Sequence, residues 1–207
     1  MGMPVPIKLP VVQPIRCRPT LPFHRPSAHA YTEILILEFL ASRKPTGNSA
    51  NTILNCAVVG PEICPYFHVV TRADYLPGHT VFRTNEGRDV ASVEWVPNGG
   101  GAYVELYDKN LNLEKQAVSA WLGVSRDASY RMMYAHGQAY VWVPRSLSIC
   151  LYEWDPAETD GVPRLLARIS KEEDVVTLQI SLAAIETGLL EMCVICVVLF
   201  QSGCRID

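Results

Sequence analysis

The sequence predicts a mainly β domain of about twelve short strands that buries one apolar C-terminal helix. Three observations carry this reading. β-prone runs separated by turn residues follow one another from Tyr31, Leu182 to Gln201 is apolar on nearly every face, and prolines interrupt the first 30 residues. A barrel or a sandwich would bury such a helix.

Residues 1–30 read as an extended arm and residues 31–207 as a single domain. Proline at 4, 6, 10, 14, 19, 22 and 26 removes donors and fixes φ, so neither helix nor inner strand suits this stretch. Val5, Ile7, Leu9, Val11, Val12, Ile15, Leu21 and Phe23 give the arm more apolar surface than a solvated tail carries. Part of it is therefore expected to lie against the domain. The same prolines break the uninterrupted apolar core that a signal peptide needs.

The strand series opens with EILILEFL and TILNCAVV, joined by RKPTGNSAN as a loop. YFHVVTR, HTVFRT, DVASVEWV and AYVELYD follow, punctuated by Leu76-Pro77-Gly78, Asn85-Glu86-Gly87 and Pro97-Asn98-Gly99-Gly100-Gly101. AVSAWL, SYRMMYA, QAYVWV, LSICLYEW, RLLARIS and DVVTLQI complete the set, with His136-Gly137 marking a tight hairpin.

The last segment, about residues 182–201, is long and poor in breakers apart from Gly188. A helix that is apolar all round is buried. Glu186 and Glu191 interrupt it and leave only about nine uncharged positions after Met192, short of the roughly 20 that a membrane span needs.

Composition narrows the function classes. The chain is 49% hydrophobic and 19% charged, with 18 basic and 21 acidic residues and a net charge of -3. No Lys or Arg run supplies the footprint that phosphate neutralisation needs, so nucleic acid is not an expected partner. Seven irregularly spaced cysteines at 17, 56, 64, 150, 193, 196 and 204 point to an intracellular, cytoplasmic, reduced protein.

The order of elements, with paired hairpins such as HGQAYVWVP, LSICLYEW and RLLARI before a terminal apolar helix, resembles the Tubby C-terminal-like superfamily. Within it the chain looks most like the fungal domain-of-unknown-function branch, alongside LURP-one-related proteins and phospholipid scramblases. The resemblance covers about residues 31 to 202. It implies a closed antiparallel barrel of about twelve strands with the C-terminal helix threaded through its centre. Tubby proteins bind phosphoinositide headgroups through basic residues on the barrel wall. No matching Lys and Arg cluster maps onto this sequence, so that activity is not carried over.

Catalytic and metal motifs are few. Cys193 and Cys196 form a C-x-x-C inside the apolar helix, with no second pair at zinc spacing, and read as packed core thiols. His24, His29, His68, His79 and His136 form neither H-x-H nor H-E-x-x-H, so no metal is expected. The G-x-S-x-G elbow and the phosphate-binding loop are missing, and Asn98 to Gly101 joins strands instead of opening a helix; no cofactor is expected. Strand alternation puts Ala91, Val93 and Trp95 on one face and Glu94 on the other, outward. Cys204 stands at the prenylation position, but the terminal Asp207 is not an accepting residue.

Two groups of side chains remain as site candidates. Glu186 and Glu191 lie on the apolar helix, where a buried carboxylate is costly unless paired or protonated, and a protonated one can serve as a general acid. The alternative has Glu186 in an exposed first turn complementing the helix dipole and Glu191 paired with an arginine. Asp89 and Glu153 are further acid candidates. Tyr130, Tyr134, Tyr140, Trp142, Tyr152 and Trp154 fall on consecutive hairpin strands, either as packing pairs or as the lining of a cavity for an apolar ligand.

The leading expectation is a non-catalytic module that binds a lipid or other apolar small molecule, with peripheral membrane contact open to it. The first alternative is a cofactor-free cyclase or isomerase that protonates an isoprenoid-type substrate in an aromatic-lined cavity; no D-D-x-x-D or D-x-D-D run accompanies it. The second is a protein-interaction module that uses the Pro-rich arm.

Overall fold

A computed structural model describes residues 33–41, 53–72, 78–107, 114–154 and 163–207. The Pro-rich arm and the loop read over residues 43–51 lie outside the described residues. Tyr31–Asp207 forms one compact unit.

The chain runs β1 (Ile34–Ala41), β2 (Asn55–Val59), β3 (Pro65–Arg72), β4 (His79–Thr84), β5 (Asp89–Trp95), β6 (Ala102–Leu106) and β7 (Gln116–Ala117). A one-turn helix α1 (Val118–Trp121) leads to β8 (Leu122–Val124), β9 (Arg131–Ala135), β10 (Gln138–Arg145), β11 (Ser148–Glu153), β12 (Leu165–Glu172) and β13 (Val175–Ser181). Two helices, α2 (Leu182–Glu186) and α3 (Leu190–Gln201), follow. Among the described residues the thirteen strands form one sheet, in the order β7-β6-β5-β4-β3-β2-β1-β13-β12-β11-β10-β9-β8.

Each neighbouring pair is antiparallel, so the sheet is two meanders that share a centre. The first and last strands pair there, with Leu37 opposite Leu178. The middle of the chain supplies both outer edges. Among the described residues no ladder joins β7 to β8, so the hydrogen-bond closure implied by the resemblance is not seen. The two edges are nevertheless only four residues apart along the chain, and one helical turn of that length spans about 6 Å. The sheet therefore curls, and α1 packs against β6 and β7 on one side and β8 and β9 on the other.

AVSAWL was expected as a strand and is mostly α1. Val118, Trp121 and Leu122 are buried while Ser119 and Ala120 are exposed. That spacing of three and four is helical, not the period of two that a strand needs. Replacing one expected strand by β7 and β8 raises the count from about twelve to thirteen.

One face of every long strand turns inward. Leu37, Leu178 and Ile169 lie in register across β1, β13 and β12, and Trp142 and Leu151 continue the layer through β10 and β11. Ala91, Val93 and Trp95 share the inner face of β5 and are buried. Glu94 is on the opposite face, ion-paired with Lys115. His136-Gly137 makes the two-residue β9–β10 turn, with φ of 50° and 76°. Positive φ at both positions is the type I′ geometry that matches the twist of the strands.

The expected single helix over residues 182–201 is two. Ser181 caps α2 by accepting from the Ala184 N–H. At its other end Gly188 adopts φ 77°, its N–H bonds the Ile185 carbonyl, and the Leu189 N–H bonds the Ala184 carbonyl. This is a Schellman stop, which needs a left-handed residue where glycine stands. Past that stop, eight consecutive residues of α3, Met192 to Leu199, are buried. More than two turns buried on every face leave no side open to solvent. The Phe200 ring meets Trp142 edge-on at 5.6 Å, and Cys196 Sγ lies 3.9 Å from Met133 Sδ. The inward strand faces and α3 belong to one core.

Candidate functional site

The inward face of β9 is Arg131, Met133 and Ala135, so Met132 and Tyr134 point outward. Ala139 stands opposite Tyr134 on β10, and Met132 lies between Val141 on β10 and Gly123 on β8. Little covers Tyr134 as a result, and it is 60% exposed, while Met132 is half-buried. An open groove of about 590 Å³ is lined by both of them together with Ala120 of α1, Val124, Arg126, Asp127 and Tyr130.

The β8–β9 loop is held by its own polar groups. The Ser125 N–H bonds the Tyr130 carbonyl at 3.0 Å, and the Tyr130 N–H returns to Ser125 Oγ at 3.2 Å. Asp127 Oδ1 accepts from Ser125 Oγ at 2.7 Å, Ser129 Oγ at 2.8 Å and the Ser129 N–H at 3.2 Å. These donors, the Ser125 hydroxyl first, hold the Asp127 carboxyl down at about 2. It is ionised at any physiological pH. Tyr130 is oriented from behind, since Trp154 stacks on it at a centroid distance of 6.0 Å.

The edge strand β8 is partly blunted. The Leu122 N–H bonds the Val118 carbonyl, and the Leu122 carbonyl receives Arg131 Nη1 at 3.1 Å. The groove is thus better suited to side-chain recognition than to the addition of another strand.

The six aromatic candidates divide between two surfaces. Tyr140 and Trp142 are buried inside, against α3. Trp142 Nε1 lies beside the Cys196 sulfur but makes no hydrogen bond of normal geometry among the described residues. Tyr130, Tyr134, Tyr152 and Trp154 belong to the outer surface, with the Arg145 guanidinium 6.0 Å from the Tyr152 ring centre. One cavity does not hold all six.

The acid candidates are also dispersed, and none lines the groove. Asp89 is exposed and bonds Arg83 Nε at 2.6 Å. Glu153 is exposed at the end of β11. Glu186 is exposed, as expected, but as the last residue of α2 and not in a first turn, while Glu191 occupies the first turn of α3, the end where a carboxylate complements the dipole. No ion pair holds Glu191 among the described residues. Cys193 and Cys196 are fully buried, and desolvation pushes both thiols well up, the behaviour of core sulfur.

Sequence reasoning missed Val124, Arg126, Asp127 and Met132. The available signal was Ser-Arg-Asp-Ala-Ser, a run of side chains that bond nearby backbone and so form turns. Among the described residues no three His, Cys, Asp or Glu side chains gather to hold a metal ion, and no helix is long and apolar enough to cross a membrane.

Compared with family models, with curated proteins and with solved structures, the chain matches none.

Proposed function

We propose that this chain is a non-catalytic binding module of the Tubby-like kind, its strands wrapped as a barrel around α3, and that it takes a lipid or other apolar small molecule on its outer surface. The observation that carries the reading is the groove beside β8 and β9, where Val124, Met132 and Tyr134 leave apolar surface open next to charged groups. At about 590 Å³ it falls in the range of roughly 300–1,000 Å³ that small-molecule sites occupy. The interior offers less, because α3 and the inward side chains pack against each other. Tyr140 and Trp142 act as core residues in this reading, and Tyr130 and Tyr134 as ligand contacts.

Native mass spectrometry of the full chain, purified without detergent and titrated with single-chain and two-chain lipids, tests this. Wild type is expected to carry lipid adducts, and the double variant Tyr134→Ala with Val124→Ser to lose about five-fold or more of that affinity. The released ligand is expected to run unchanged on chromatography, a necessary control because cyclisation or isomerisation leaves mass unaltered. Absence of adducts, equal binding by the double variant, or an isomerised ligand would overturn the proposal.

A further inference from the structure

The groove presents two opposite charges that do not neutralise each other. Arg126 and Asp127 are consecutive, both line it, and neither makes an ion pair among the described residues. A fatty-acid anion would answer only the arginine, and a simple amine only the aspartate. The complement of both is a zwitterion.

The walls favour one kind of cation. Ser125 and Ser129 donate three hydrogen bonds to Asp127 Oδ1, which leaves Oδ2 without one of these donors. A primary ammonium has three N–H groups that lose hydration when set against aromatic faces. A quaternary ammonium has no N–H to satisfy and prefers aromatic faces with a nearby negative charge. Tyr134 is open, and Tyr130 is set in place by Trp154 behind it. Val124 and Met132 supply the apolar surface on which methyl groups and a glycerol backbone can rest.

Building on the lipid-binding reading above, we propose that the groove recognises the phosphocholine head of a membrane lipid. Tyr130, Tyr134 and Asp127 surround the quaternary ammonium, and Arg126 holds the phosphate. No bond is made or broken, and the acyl chains stay in the bilayer.

The test uses the full chain and reads tryptophan fluorescence, since Trp154 is 40% exposed while Trp95, Trp121 and Trp142 are buried. Choline, phosphocholine and phosphoethanolamine are titrated first. Choline and phosphocholine are expected to bind, with phosphoethanolamine weaker by about five-fold or more. Arg126→Gln should weaken phosphocholine by about five-fold and leave choline within about two-fold. Asp127→Asn keeps the Oδ1 acceptor that holds the loop but removes the charge, and should weaken both ligands by about five-fold. Tyr134→Ala should weaken both by about three-fold or more. Equal thermal midpoints for the variants exclude misfolding as the cause.

Vesicles of phosphatidylcholine, phosphatidylethanolamine or phosphatidylglycerol supply the second arm. Binding to phosphatidylcholine vesicles that free phosphocholine displaces supports the lipid source, whereas binding of free phosphocholine without vesicle binding overturns it. Equal binding to all three vesicles, still lost in Tyr134→Ala, overturns choline recognition but keeps the lipid-binding function. No binding to any lipid overturns both.

Discussion

The Trp95 indole N–H donates to the Thr80 hydroxyl at 2.8 Å, at a point where the threonine has no exposure to solvent. The direction of the remaining bonds follows. Thr71 Oγ1 spends its one proton on the Leu54 carbonyl at 2.7 Å, so Thr80 must donate to Thr71 across the 2.7 Å between their hydroxyls. The chain Trp95 to Thr80 to Thr71 to Leu54 ties β5, β4 and β3 to the turn before β2. Thr80→Val keeps the shape and leaves a buried N–H unpaired. It should cost about 1–3 kcal/mol in urea unfolding. In a double-mutant cycle with Trp95→Phe the combined loss should fall short of the sum by about 1 kcal/mol. Strict additivity would mean that the bond does not form.

A second relationship joins two ends of the chain's topology. A Cβ added at Gly188 would lie 2.9 Å from His136 Nε2, so the β9–β10 turn rests on the α2–α3 junction. Gly188→Ala therefore meets two penalties, the left-handed φ and the imidazole. The first alone is about 1–2 kcal/mol. His136→Gly in the same background removes the imidazole while keeping the turn's positive φ, and should restore part of the melting temperature lost. No restoration would mean that the backbone penalty is the whole effect.

Much of the strand series was legible because turn chemistry is local. Asn85-Glu86-Gly87 and His136-Gly137 need particular φ values, and their residues announce it. The seam at β7, α1 and β8 was not read, since Val118, Ser119, Ala120 and Trp121 suit a strand by propensity, and only the spacing of Val118, Trp121 and Leu122 betrays a turn of helix. Gly188 reads as a breaker, but the apolar stretch on either side of it reads as continuous helix. The groove was the least legible part. It depends on Ala139 standing opposite Tyr134 and on Gly123 standing opposite Met132 at the β8 edge, and register between strands is a long-range property that no window of sequence contains.

The sulfur chemistry gives a labelling prediction. Burial pushes the Cys56 thiol up to about 12, and Cys193 and Cys196 lie fully inside on α3. Cys204 is exposed. Since the thiolate is the reactive form, iodoacetamide at pH 8 should modify Cys204 within minutes and leave Cys56, Cys193 and Cys196 untouched until the protein is unfolded. Site-resolved mass spectrometry reads the outcome. Early labelling on α3 would show that the core opens without global unfolding.

The last prediction concerns the seam between the two sheet edges. Arg131, on β9, grips Asp207 through two bonds of 2.9 and 2.5 Å while its Nη1 also reaches the Leu122 carbonyl. The Asp207 backbone in turn lies against Gly101, just before β6, so one residue connects both sides of the seam. The Arg131 hydrogen bonds hold the Asp207 carboxyl below its ordinary value. A carboxylate with a depressed folded value contributes stability that is present above its unfolded value, about 3.9, and is lost as pH falls through the folded one. With the Asp207 side chain 43% exposed, solvent screening limits that contribution to about 1 kcal/mol or less. Asp207→Asn should therefore lower stability equally at pH 7 and pH 5, and the gap to wild type should narrow at pH 3. Urea midpoints at the three pH values check it. A gap that stays constant down to pH 3 would assign the effect to the neutral hydrogen bonds, and Arg131 would then hold the seam without using the charge.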